Sequence, residues 1–253
     1  MKAYYEKFQE ESQNIRVYRN VSHVYAPHFH NNMEIFIVGR GHYTVTRNDT
    51  DYDVKDGAIC VFDSYDIHSY NVKLSEGEND CVLIIPTRYL SPVKNVKGKC
   101  IKNPVIYDKA LCEKLLNIVD EYLNDNGSSL VNVAGVNLLL TLISEKLEYE
   151  DEKSKNEDVT IRKILTYIYE NFTADISLTT IANELGYTPE HLSRVFHKYI
   201  EMSVPTYINN LRVEQVEKLK KTRPNKSLND RIFEAGFNSI QTYYRHKKQY
   251  ENK

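Results

Sequence analysis

The sequence predicts an α+β chain in two parts: a small β-barrel or sandwich with a helical pair, followed by an all-α domain. Three observations predict it. Short apolar runs with turn residues between them fill the first hundred positions. Helical periodicity replaces them from about Asp108. A charged stretch near residue 150 separates that region from a helical tail. A length of 253 residues is comfortable for two modest domains.

The elements follow in order. Ile35-Phe36-Ile37-Val38 is apolar and branched, and Gly39-Arg40-Gly41 punctuates it. Tyr43–Thr46 and Tyr52–Val54 flank Arg47-Asn48-Asp49-Thr50, a hairpin signal. Gly57 precedes the run Ala58–Phe62, and Cys81–Ile85 is another. Leu111, Leu115, Ile118, Val119 and Tyr122 then recur at helical spacing. Asn124–Ser129 breaks that pattern. Val136, Leu139, Leu140, Ile143 and Leu147 resume it, so residues 108–147 read as an antiparallel helical pair. Glu148–Asp158 is charged and aperiodic and reads as an interdomain linker. The expected domains are therefore 1–150 and 159–253.

Charge separates the two parts. The whole chain carries a formal net charge of -2. Residues 159–253 hold 15 Lys and Arg against 10 Asp and Glu, and the remainder holds 18 against 25. An acidic first part and a basic tail suggest a different partner for each. No apolar run approaches bilayer-spanning length, and the opening MKAYYEKFQEES is too polar for a signal peptide. A cytoplasmic location without membrane contact is expected. The cysteines at 60, 81, 100 and 112 form no C-x-x-C pair and read as reduced, unpaired thiols.

The tail contains a weak repeat. Leu178 to Gly186-Tyr187 recurs as Leu228 to Gly236-Phe237, offset by 50 positions, with Glu184 matching Glu234. In the first copy Leu178–Leu185 is a short amphipathic helix. Gly186 follows where the chain needs positive φ. Thr188 is placed to cap the next helix and Pro189 to occupy its first position. Leu192, Val195, Phe196 and Tyr199 then form one apolar stripe, and Glu190, Ser193, Arg194 and His197 a polar one. Helix, glycine turn and helix make a helix-turn-helix plan. The polar stripe is either a solvated face or a base-reading one. The preceding helix, the turn and the second copy favour base reading: Arg194 suits guanine, Glu190 a cytosine amine, Ser193 base or phosphate. Pro205–Lys221 reads as one stiff connecting helix, about 25 Å long at roughly 1.5 Å per residue. Recognition helices must enter successive major grooves about 34 Å apart, which such a connector allows.

The segment ISLTTIANELGYTPEHLSRVFHKYIEMSVPTYINNLRVEQVEKL resembles the DNA-binding domain of the AraC-type (AraC/XylS) transcriptional regulators, over roughly residues 159–250. The run GYTPEHLSRVFHKYI is the specific part and GFNS at 236–239 supports it. The resemblance implies base contacts from Glu190, Ser193 and Arg194, and from Ile240, Gln241, Tyr244 and Arg245 in the second unit. That unit departs from the family pattern. Arg231-Ile232 stands where Ile-Ala is usual, Lys247 stands at a core phenylalanine position, and the chain stops at Lys253. A charge at a core position costs stability unless it reaches water, so a shorter or shifted last helix is expected. Arg245, Lys247 and Lys248 then suit phosphate contacts.

His28, His30 and Glu34, followed by Gly41, fit a first cupin signature, and Gly57 with His68 fits the spacing of a second. Residues from about 15 to 90 thus resemble a cupin, a double-stranded β-barrel, although Asp63 and Tyr65 stand where its second motif has proline and glycine. Three imidazoles and a carboxylate suit Zn, Fe, Mn or Ni. AraC-type regulators often carry such a barrel as a sensor of small organic molecules, and the resemblance implies that use, without metal or other cofactor. His28, His30, Glu34, His68 and Tyr43 are then effector-binding residues, with Tyr25, Tyr65 and Tyr70 as further stacking faces. A metal held by His28, His30, Glu34 and His68 is the alternative, and plain hydrogen bonding in the barrel wall a third. His23 and His42 lack matching spacing and read as ordinary polar residues.

The expected function is a sequence-specific DNA-binding regulator and not an enzyme, responsive to a sugar or related metabolite. A metal-dependent cupin enzyme, or a metal sensor, fused to the DNA-binding tail is the competing reading. Expected partners are promoter DNA, the effector, and a second copy of the chain through residues 108–147, with RNA polymerase a further candidate. The apolar residues of that helical pair could equally be packed wholly on the barrel.

Overall fold

The computed structural model describes residues 4–6, 14–20, 25–74, 79–90, 99–123, 129–151 and 157–251. The chain divides into two compact units, Met1–Asp158 and Val159–Lys253. The class is α+β.

The first unit is built on strands β1 (Tyr4–Tyr5), β2 (Arg16–Arg19), β3 (Tyr25–Phe29), β4 (Met33–Val38), β5 (His42–Arg47), β6 (Thr50–Lys55), β7 (Ala58–Phe62), β8 (His68–Leu74), β9 (Asp80–Ile85), β10 (Lys99–Ile101), β11 (Val105–Tyr107) and β12 (Tyr149–Asp151). Two five-stranded sheets result, in the orders β1-β3-β8-β5-β6 and β11-β7-β4-β9-β2. The β5–β6 hairpin turns on Asn48 and Asp49, whose φ angles are 47° and 66°. Two successive positive φ values give the turn the twist of its flanking strands, and Asn and Asp tolerate that conformation.

The second sheet is a middle layer, which explains its unbroken apolar runs. Side chains alternate between faces along a strand. From β4, β7 and β9, Phe36, Val38, Ala58, Cys60, Phe62, Val82 and Ile84 pack with Tyr43, Val45 and Tyr70 of the first sheet. From the same strands, Ile35, Ile37, Ile59, Val61, Cys81, Leu83 and Ile85 pack with the helices α1 (Lys109–Tyr122) and α2 (Leu130–Ser144). A strand buried on both faces reads as a near-continuous apolar run, and the polar exceptions, Glu34 on β4 and Asp80 on β9, are themselves buried. The α1 helix starts at Asp108, whose carboxylate accepts from Leu111 N at 3.0 Å. All four cysteines are free, with 60, 81 and 112 buried and Cys100 partly so.

Of the charged stretch 148–158 expected as a linker, residues 152–156 lie outside the described residues, and both of its ends are structured. Tyr149–Asp151 forms β12 and pairs antiparallel with β10, and Glu157 already begins a helix. Pairing uses backbone groups, so exposed charged residues do not prevent it, and Lys99 answers Asp151 at 3.3 Å.

The second unit is helical: α3 (Glu157–Asn171), α4 (Leu178–Leu185), α5 (Pro189–Ile200), α6 (Val204–Thr222), α7 (Leu228–Glu234) and α8 (Ile240–Glu251). Ser177 caps α4 in a reciprocal box with Thr180. Gly186 ends that helix in the left-handed region at φ 73°. Thr188 caps α5 with Pro189 in its first turn. The buried Arg212 of α6 donates to Phe172 O at 2.7 Å and Ala174 O at 2.8 Å, tying the connecting helix to the chain after α3. The last helix is not short. It runs for 12 residues, the same as α5. The unusual charges of the second helix-turn-helix unit find partners: Lys247 Nζ on α8 lies 3.5 Å from Glu217 Oε1, and Arg231 on α7 donates to Arg223 O at 3.0 Å and Pro224 O at 2.6 Å.

Candidate functional site

Two strands and a bulge build the polar centre of the barrel. Tyr25 pairs with Tyr70 and His28 with His68, so three steps on β3 oppose two on β8. One extra residue on one strand is a bulge, which re-aims the side chains beyond it. It brings the His28 and His68 rings to 4.3 Å between centroids. His30 follows β3 directly, and Glu34 points inward from β4, two positions before Phe36.

His28, His30, Glu34 and His68 converge, each offering one ligand-type atom within 4.8 Å of the others, and all four are buried. His30 Nε2 lies 2.9 Å from Glu34 Oε2, and His68 Nε2 lies 3.4 Å from that same oxygen. The other ring nitrogens are anchored to main-chain carbonyls: His28 Nδ1 to Ala26 at 2.9 Å, His30 Nδ1 to Asn32 at 3.1 Å, and His68 Nδ1 to Asp66 at 2.8 Å. Tyr70 donates its phenol to Glu34 Oε1. The Phe62 ring stacks on His68 at 4.6 Å and closes one side.

Electrostatics follow from burial and proximity. Burial pushes His28 down to about 4, and His68 adds to that. Burial alone would raise Glu34, but His68 and His30 hold its carboxyl well below the usual range. Burial also opposes protonation of His68, yet Glu34 outweighs it and raises that imidazole. Three imidazoles and one carboxylate can coordinate a transition metal or exchange hydrogen bonds with hydroxyl groups.

Not every expected residue joins this cluster. Tyr43 is buried and gives its hydroxyl to Asp80, while its ring packs on Phe36 at 5.0 Å between centroids. Its polar end is thus committed elsewhere. Tyr65 is buried at a positive φ of 63°. Tyr25 stands edge-on to Tyr70 at 6.0 Å. His42 pairs with Asp53 at 2.6 Å on the partly exposed outer side, and His23 lies outside the described residues. Sequence reading took Tyr70 only for a stacking ring. The signal for its role was available, since it stands two residues after His68 and so shares its face of the strand. The buried pair Arg47–Asp66, at 2.7 Å, was also missed. It braces the segment whose Asp66 carbonyl holds His68.

In the second unit the two stripes of α5 separate completely. Leu192, Val195, Phe196 and Tyr199 are buried, whereas Glu190, Ser193, Arg194 and His197 are exposed. Arg194 reaches back to His191 Nδ1 at 3.1 Å. On α8, Gln241, Tyr244 and Arg245 are exposed, but Ile240 is half-buried against the cluster of Val213, Val216, Ile232, Phe237 and Tyr243. Among the described residues, no helix is long and apolar enough to cross a membrane.

Comparison with known proteins locates both units. Residues 16–128 match the AraC-like ligand binding domain and residues 181–253 a helix-turn-helix domain. The chain is 32% identical over 104 residues to the HTH-type transcriptional activator AarP of Providencia stuartii, covering 41% of this chain and 76% of that protein. It is 28% identical over 96 residues to an uncharacterised HTH-type regulator of Pseudoalteromonas carrageenovora, covering 38% of this chain and 56% of the relative. A 26% identical stretch of 97 residues covers only 13% of a Staphylococcus aureus regulator. Among solved structures, apo ToxT of Vibrio cholerae aligns over 96% of this chain and 95% of its own, with 15% identity and a TM-score of 0.47. The AraC-like activator CuxR aligns over 81% and 72%, with 15% identity and a TM-score of 0.43.

Proposed function

This chain belongs to the AraC-type transcriptional regulators, and from that premise we propose that α5 and α8 read a promoter while the barrel's buried polar cluster receives the effector. The observation that carries the DNA half is the clean division of α5 into a buried apolar stripe and an exposed polar one. A helix held rigidly from behind presents Glu190, Ser193, Arg194 and His197 outward. Arg194 suits a guanine edge, Glu190 a cytosine amine, and Ser193 either a base or a phosphate. On α8, Gln241, Tyr244 and Arg245 extend the surface, with Ile240 contributing least because it is half-buried. Lys247 is engaged by Glu217, so Arg245 and Lys248 are the better phosphate contacts. The α6 helix spans 19 residues, about 28 Å at 1.5 Å per residue, which holds the two readers apart.

The effector is a sugar or related metabolite placed against His28, His30, Glu34 and His68. With each Nδ1 held by a main-chain carbonyl, the inward Nε2 atoms and the carboxylate take hydroxyl protons. The known relatives are regulators of transcription, which supports binding over catalysis here. A second copy of the chain pairs through the outer face of α2. That helix buries Val136, Leu139, Leu140 and Ile143, yet leaves Leu130, Val131 and Leu138 exposed by 88%, 56% and 44%. A helix apolar on both faces is soluble only when both are covered.

Footprinting of the full chain on the DNA upstream of its own gene, with and without a panel of sugars, tests this reading. Protection in two successive major grooves on one DNA face is expected, with at least one metabolite shifting the affinity. A chain that protects no sequence sinks the assignment.

A further inference from the structure

We propose that His28, His30, Glu34 and His68 together bind one divalent first-row transition-metal ion. The inference deepens the effector reading and rests on it for the ion's role, which is to offer an effector oxygen a fixed positive charge.

The tautomers carry the argument. A carbonyl oxygen only accepts, so the contacts to Ala26, Asn32 and Asp66 put a proton on Nδ1 of all three histidines. A neutral ring with its proton on Nδ1 presents a lone pair on Nε2. Three such lone pairs and a carboxylate oxygen share one buried volume. His30 Nε2 and Glu34 Oε2 stand 2.9 Å apart, an approach of two acceptors that needs a cation between them. His68 Nε2 is buried without a hydrogen bond, and Glu34 Oε2 lies 3.4 Å away. A proton satisfies one such pair, whereas a metal ion satisfies all four groups together.

Size and donor type agree. Ligands about 2.0–2.2 Å from a common ion lie roughly 3–4.4 Å from one another. The observed limit of 4.8 Å requires only a small inward movement. Nitrogen donors with one carboxylate favour zinc, iron, manganese, cobalt or nickel over calcium or magnesium, which take oxygen ligands. The outer contacts are those of a ligand set: imidazoles tied through Nδ1 to carbonyls, and the carboxylate fixed through its other oxygen by Tyr70.

The test uses the full chain, stripped by a chelator and titrated with cobalt(II) while its visible d–d absorption is followed. One saturating equivalent, displaced by zinc(II), is expected. His68→Ala and the near-isosteric Glu34→Gln should each lower the affinity by about 100-fold or more, beyond the loss typical of outer contacts. His42→Ala, on the outer side of the barrel, should leave it unchanged. A stripped wild-type chain that takes up no cobalt overturns the proposal even if both variants fail to fold. Equal uptake by wild type, His68→Ala and Glu34→Gln overturns it as well. The two readings separate cleanly. Cobalt bound with no metabolite shifting DNA affinity supports the ion and removes the effector reading. A metabolite response in protein shown to take up no metal removes the ion and leaves the effector reading standing.

Discussion

Tyr70 on β8 donates its phenol to Oε1 of Glu34 on β4, and this leaves Oε2 to face His30 and His68. Burial, and then the negative charge of Glu34, push the phenol well above its ordinary value, so it remains a donor throughout the physiological range. Tyr70→Phe keeps the ring against Phe36 and Phe62 but strands a buried carboxylate oxygen. We expect a stability loss of about 1–3 kcal/mol by denaturant unfolding, and a drop of roughly 10–100-fold in cobalt affinity. Unchanged stability would show that Glu34 Oε1 needs no donor there.

Arg194 supplies the sharpest test of the DNA reading. It is exposed on α5, and its guanidinium rests against His191 Nδ1 at 3.1 Å. Arg194→Ala should change folding stability by no more than about 0.5 kcal/mol, while costing about 1–3 kcal/mol of binding and relaxing preference at one base pair. Lys248→Ala should instead weaken binding evenly across sequences and lower the salt slope by about one. Competition assays against single-base operator variants, repeated at several salt concentrations, separate the two effects.

Much of this was legible because its signals are local. The turn at Asn48-Asp49, the cap at Thr188, the glycine at 186 and the stripes of α5 each depend on a few adjacent residues, and each appears in the structure. The H-x-H spacing placed two imidazoles on one face because strand side chains alternate. What stayed hidden depends on contacts distant in sequence. The β3 bulge needs the register of β8, and Pro27 within the strand was its only hint. Tyr43 looked available because its partner Asp80 is 37 positions away. Lys247 looked misplaced because its partner Glu217 stands on another helix. The strand at 149–151 was invisible for a different reason. Its pairing is between main chains, and its side chains carry no alternating apolar pattern.

The two turn glycines, 50 positions apart, are not equivalent, and substitution separates them. Gly186 has φ 73° with nothing within 4 Å of an added Cβ. Gly186→Ala therefore costs only the left-handed backbone strain, about 1–2 kcal/mol. Gly236 has φ 94°, and an added Cβ would lie 2.6 Å from Thr173 O and 2.8 Å from Thr173 Cα. That neighbour is backbone and cannot rotate aside. Gly236→Ala should add overpacking of about 1–3 kcal/mol to the strain. Thermal melts of the two variants should differ in that order, and equal melting temperatures would contradict the packing argument.

Glu217 gives the second unit a predictable acid response. Its Oε1 accepts from Lys220 at 2.6 Å and lies 3.5 Å from Lys247 and 3.3 Å from the Tyr243 hydroxyl. Burial alone would raise this carboxyl, but Lys220 and Lys247 outweigh it and hold it below its ordinary value. A carboxyl depressed in the folded state contributes stability above its unfolded pKa, near 4.3. That contribution disappears as pH falls through the lower folded value. The side chain is 44% exposed, so the contribution belongs to the surface range of about 0.2–1 kcal/mol. Glu217→Gln should therefore unfold more readily than wild type at pH 7, and the gap should close as the pH is lowered below 4. Added salt should shrink the gap at pH 7, because exposed pairs are screened. A difference that persists unchanged at low pH would place the effect in packing around Tyr243 rather than in charge.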